Sequence, residues 1–392
     1  MDKQKEKKKK VLMPFGLRNK LIAAISMLLV SSIMMVSSTY AWFTLSTAPE
    51  VKNISTTVAG NGSLEIALMP ENGLTTSIGR GMQGADTKAS NTNWGNLVNL
   101  NDPSYGLNAV KLNPAQLNVT KATEEGGEDT FDGTTPLAIP VYGQDGRIAK
   151  LEANTAVKAY NDAAGFNADG KFGVRAIGEN PADGNTALGD TYGYVVDLAL
   201  RLNTQTVNAD GSTTAGKLLL QADGVQRIYD GSANENTMGG GSYMAFTLPD
   251  GVTNEVMTPK MVTGLMKSIR ITFVQDYGKS GGTAKIIGTA KLDIAADATL
   301  AADANGEYKA VLCMCDDTGA KKTGDDASVL LNEMTKNTVY QISAIVWLDG
   351  TQVKNADVAA AAVNSLTGKL NLQFSTDVEL HPAANAELKN VQ

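Results

Sequence analysis

The apolar positions of this chain fall into two regimes. Leu21 to Ala41 carries no charge, and its apolar part runs from Leu21 to Val36. Beyond it, apolar and polar residues alternate in short runs broken by turn dipeptides such as Asn61-Gly62, Asp132-Gly133, Asp210-Gly211 and Asp349-Gly350. Period-two runs between such dipeptides predict β-strands. Ile54, Thr56 and Val58 share a face of one strand, and Leu64, Ile66 and Leu68 of another. Along Val195 to Leu202, the side chains of Val196, Leu198, Leu200 and Leu202 point one way, so Asp197 and Arg201 are expected in solvent. Ile269, Ile271 and Phe273 mark a strand, as do Ala310, Leu312 and Met314. Leu370, Leu372 and Phe374 alternate with Asn371, Gln373 and Ser375. Tyr340 to Leu348 is largely apolar on both faces, which predicts a central strand covered on both sides.

Helical signals are few. Thr258 is placed to cap a short helix reaching Lys267, with Pro259 at its first position. Asp357 is placed to cap another over 358–365. Many short strands and few helices predict an all-β fold, an antiparallel β-sandwich with long loops. Residues 70–190 are rich in Gly, Asn and Asp and read as a loop-rich insertion or subdomain. Gly216 to Gln221 echoes Gly368 to Gln373. The echo fits two related β-halves, or one local solution for entering a strand used twice.

The first regime is a leader. Lys3, Lys5, Lys7 to Lys10, Arg18 and Lys20 precede the apolar run, which closes on Ser-Thr-Tyr-Ala. A basic head, an apolar stretch and a small-x-small exit predict an export signal. Thr39 and Ala41 take the −3 and −1 positions, and Trp42 becomes the mature N-terminus. Residues 1–41 also fit an uncleaved anchor, because the 21 uncharged residues are long enough to span a bilayer at roughly 20 residues per span. Membrane contact is then confined to residues 21–41, and 42–392 is extracellular in both readings. A type IV pilin leader needs an early acidic residue in its apolar run, and Leu21 to Ala41 has none.

Charge narrows the partners. The chain of 392 residues carries a formal −7, and residues 1–20 contribute +6, which leaves −13 for the remainder. An acidic ectodomain is not expected to bind nucleic acid or anionic lipid. The only cysteines, Cys313 and Cys315, lie on one face of a predicted strand. A bridge within such a triplet is strained, so no disulfide framework is expected.

No catalytic constellation emerges. His381 is the single histidine, which removes two-histidine metal sites and the His-Glu-x-x-His motif. No Walker loop is present. Neither cofactor nor metal is expected, and the protein is expected not to be an enzyme. Paired carboxylates of a glycosidase remain open on any acidic surface. The Asn/Asp/Gly loops, such as Asn161-Asp162 with Asn167 and Asp169, read as solvated turns, with calcium binding as the alternative. Trp347 is expected in the core, and Trp94, in a polar loop, is a weak candidate for stacking on a sugar.

Thr39-Tyr40-Ala41-Trp42-Phe43-Thr44 resembles the leader junction of the TasA/camelysin group of exported Gram-positive proteins. Ser63-Leu64-Glu65-Ile66 is similar in place to that group's first strand. The likeness covers about 30 residues well, and the chain is longer than typical members. It implies processing by a signal peptidase, a jelly-roll-like sandwich, and assembly into biofilm-matrix fibres by donation of an N-terminal strand. The metalloprotease association of camelysin is not carried over to a chain with one histidine.

These readings lead to an exported surface or matrix protein that self-associates as a homo-oligomer. Ile54, Thr56 and Val58 are the expected donor strand, because main-chain hydrogen bonds give such a strand affinity and alternate side chains give it register. The alternatives are a monomeric adhesin or glycan-binding module built on the 70–190 loops, and a secreted hydrolase.

Overall fold

The computed structural model describes residues 51–60, 64–69 and most of 97–378; residues 1–50, 70–96, 161–172, 180–189, 354–365 and 379–392 lie outside it, with shorter loop segments. The described chain is mostly β. Its first half contains β1 (Val51–Gly60), β2 (Leu64–Leu68), β3 (Leu97–Asn99), β4 (Pro114–Leu117), β5 (Val119–Thr120), β6 (Thr130–Phe131), β7 (Leu137–Tyr142), β8 (Ile148–Ala153), β9 (Val157–Tyr160), β10 (Val174–Glu179) and β11 (Thr191–Leu202). Next come β12 (Thr206–Val207), β13 (Thr213–Thr214), β14 (Gly216–Leu220), β15 (Gln226–Ile228), β16 (Asn236–Met238), β17 (Tyr243–Thr247) and helix α1 (Pro259–Ser268). The last are β18 (Ile269–Gln275), β19 (Lys285–Leu292), β20 (Glu307–Cys315), β21 (Val329–Met334), β22 (Tyr340–Asp349), the single turn α2 (Gly350–Val353) and β23 (Leu366–Thr376).

Two layers face one another. The first runs β3–β1–β23, with β17 and β14 sharing the far edge of β23 and β20 and β21 beyond them. The second runs β9–β10–β11–β22–β18–β19, and β2 shares an edge of β11 with β10. Strand β20 joins the layers. Its Glu307 to Val311 pairs with β17, and Leu312 to Cys315 pairs with β19. A strand that changes sheet in this way makes the corner of a sandwich-like fold.

The core between the layers draws on both. Val58, Leu220, Phe246, Leu372 and Phe374 come from the first layer, and Ile66, Leu198, Ile271, Phe273 and Ile342 from the second. The Phe273 and Phe374 rings meet edge to face at 5.8 Å across the gap, a geometry favoured by the ring quadrupole. A second core covers the outer face of the second layer. There Val195, Val274, Ile345 and Trp347 pack against Leu117, Phe131 and Leu137.

The second core changes one expectation. Asp197 does not point to solvent but is buried, because the outer face of β11 is covered. Arg175 grips it with two hydrogen bonds, Nε to Oδ2 at 2.6 Å and Nη2 to Oδ1 at 2.8 Å. The Ser343 hydroxyl donates to Oδ1 at 2.5 Å. A buried carboxylate requires such partners. Arg201 is half-buried and pairs with Glu65 on the neighbouring β2.

Other expectations fall where the alternation puts them. Strand β22 lies between β11 and β18 and is buried along nearly its whole length. The Trp347 indole is inside and donates to Thr272 Oγ1 at 3.1 Å. Thr258 caps α1 by accepting from Met261 N, and Pro259 opens it. Asn371 and Gln373, by contrast, alternate as expected but are buried, and Asn371 donates to the Gly241 carbonyl at 3.0 Å. The two echoing segments are neighbours, since β14 pairs antiparallel with the end of β23 and Gln221 N donates to Gln373 O at 2.8 Å. The segment around Asp357 and 358–365 lies outside the described residues.

Candidate functional site: the slot of the N-terminal strand

Strand β1 is held from both sides. On one edge it runs parallel to β23, with Val51 opposite Leu366 and Gly60 opposite Phe374. On the other edge it pairs antiparallel with β3 through Thr57, Val58 and Ala59. A parallel pair cannot be closed by a tight turn, and here it joins the two ends of the described chain. The parallel register breaks between Lys52 and Ser55, the stretch that contains Ile54.

Thr56 and Val58 point into the core and are fully buried. Thr56 Oγ1 lies 3.0 Å from the hydroxyl of Tyr194, a residue of the opposite layer. Thr56 O accepts from Leu100 N at 2.9 Å, just past β3. Burial pushes the Tyr194 phenol upward, and the hydrogen bond with Thr56 acts in the opposite direction. Burying a side chain the size of Val58 stabilises by about 1.5–3 kcal/mol. Taking β1 out of the slot therefore uncovers the unpaired edge of β23 and leaves the Tyr194 hydroxyl without its partner in the core.

The slot is built from residues that strand alternation alone did not single out as a site. Tyr194 and the face of β23 carrying Leu370, Leu372 and Phe374 complete it. The alternation of β23 is visible in the sequence, but its pairing with a strand more than 300 residues earlier leaves no local mark.

The other singled-out residues lie apart from the slot or outside the description. Thr39, Ala41, Trp42, Trp94 and His381 are outside the described residues. Among the described residues no helix is long and apolar enough to cross a membrane, and residues 21–41 are not among them. Cys313 and Cys315 are buried free thiols in the part of β20 that pairs with β19. Burial pushes the Cys313 thiol up to about 11, with Asp293 adding to the effect. Burial also raises the Cys315 thiol. No group of three metal-ligating side chains occurs among the described residues.

Comparison with protein families, with characterised proteins and with solved structures finds no match to this chain.

Proposed function

We propose that this protein is an exported surface or extracellular-matrix subunit that self-associates into fibres, with β1 passed from one copy to the next. The observation that carries the reading is the slot. Strand β1 is hydrogen-bonded along both edges and inserts Thr56 and Val58 into a core otherwise built from later segments. The same contacts form whether β1 comes from its own chain or from a neighbour. Exchange is then decided by reach and concentration rather than by new contacts.

In sequence, residues 61–63 with Asn61-Gly62 separate β1 from β2. Each copy gives one strand and receives another, a head-to-tail relation that makes filaments when it does not close into a ring. The leader junction at Thr39, Ala41 and Trp42 supports export, and its resemblance to the TasA/camelysin group supports a jelly-roll-like matrix subunit. Removal of the leader frees the segment that precedes β1.

Electron microscopy of concentrated residues 42–392 tests the proposal. Filaments are expected from the unaltered sequence and none from Val58→Asp, whose charge cannot enter the core. Dispersed particles from the unaltered sequence at every concentration contradict it.

A further inference from the structure

A cleft of about 650 Å³ opens on the outer side of the second layer, away from the slot. Four separate segments form it: Phe131 to Thr134 at the end of β6 and beyond it, Lys158 and Ala159 on β9, Arg175 on β10, and the turn Asp276 to Gly278 with Thr283 and Ala284. This size falls within the range of small-ligand sites.

Its walls are fixed before any ligand arrives. Arg175 is held by Asp197 behind it, and its guanidinium lies 4.3 Å from the centre of the Tyr277 ring. Phe131 packs edge-on to Tyr277 at 4.8 Å. Gln341, itself buried, clamps the turn twice: its carbonyl accepts from Asp276 N at 3.2 Å, and its Nε2 donates to Tyr277 O at 2.5 Å. Asp132 Oδ1 accepts from Thr134 N and Thr135 N and fixes the opposite lip. Asp276 is one of two non-glycine residues with positive φ among the described residues, at 59°. Asp276 thus sits in a left-handed turn conformation at the lip of the cleft.

The chemistry of the walls selects a ligand class. Asp132 and Asp276 line the cleft with Asp197 behind, against Lys158 and Arg175, so the local balance is negative and disfavours an anion. The carboxylates accept from hydroxyl or amine groups, while Thr134, Thr283 and Lys158 can donate. The largely buried rings of Phe131 and Tyr277 supply its apolar lining. Convergent donors and acceptors beside an apolar lining suit a hydroxyl-rich ring. We propose that this cleft binds a short stretch of an uncharged or amine-bearing polysaccharide. The site does not depend on strand exchange, since none of its residues belongs to β1, β3 or β23.

Titration calorimetry on residues 42–392, which retain every described residue, tests it with three probes: chitotriose, its fully deacetylated form and a galacturonic acid trimer. One or both of the first two are expected to bind with a Kd of about 1 mM or tighter. Asp276→Gly should weaken that binding at least tenfold while folding normally, because glycine suits the positive φ. Lys158→Ala, on an exposed side chain, should weaken it further. No binding of either amino-sugar trimer at about 10 mM overturns the proposal. So does tighter binding of the galacturonic acid trimer, or affinity unchanged in the variant carrying both substitutions.

Discussion

Thr56 Oγ1 and Tyr194 Oη lie 3.0 Å apart in the core, and this contact ties the N-terminal strand to the opposite layer. Removing one partner leaves the other buried and unsatisfied, which costs about 1–3 kcal/mol. Tyr194→Phe and Thr56→Val should each be destabilising by that order. The double variant should cost clearly less than the sum, because no orphaned hydroxyl remains. A double-mutant cycle by urea denaturation checks this, and full additivity would count against the contact.

The same pair sets a pH limit. The folded-state pKa of Tyr194 is raised by burial above its unfolded value of about 10. Its contribution to stability is therefore complete below about pH 10 and is lost as pH rises through the folded value. The urea midpoint should fall more steeply above pH 10 in the unaltered protein than in Tyr194→Phe.

Cys313 and Cys315 should resist alkylation. Burial holds the Cys313 thiol near 11 and raises that of Cys315, so little thiolate is present at pH 8. Iodoacetamide should label neither in the folded protein and both in urea. Rapid labelling of the native state would show that the thiols are reachable.

Much of the framework is legible along the chain. The alternation in Ile269 to Phe273 and the doubly apolar Tyr340 to Leu348 give two strands of the second layer, and Thr258-Pro259 gives the start of α1. These signals are local, so they can be read locally. Asp197 is misread because the groups that bury and satisfy it, Arg175 and Ser343, and the second core on that face come from other parts of the chain. The burial of Gln373 is likewise not legible, since the alternation of β23 does not say which segment covers its polar face. The partner of Thr56 and the four segments of the cleft are products of long-range pairing, which composition and spacing do not encode.

Two ion pairs of similar length should differ in worth. Arg175 and Asp197 are largely buried, and Lys217 and Asp326 are exposed at 38% and 74%. Asp197→Asn leaves Arg175 poorly compensated beside an apolar core and should cost about 3–5 kcal/mol. Asp326→Asn should leave stability almost unchanged, and any effect should vanish in high salt. Guanidinium and urea melts of the two variants distinguish these outcomes.

The central claim is that β1 of one copy occupies the slot of another. Ser55 is the parallel register partner of Lys369, and Lys369 is exposed. Cysteines at both positions, in a Cys313→Ala, Cys315→Ala background, report which chain supplies β1. The protein is oxidised at the concentration that gives filaments and run on a non-reducing gel. Strand exchange predicts a ladder of covalent oligomers that collapses to monomer on reduction. A product consisting only of internally cross-linked monomer contradicts it.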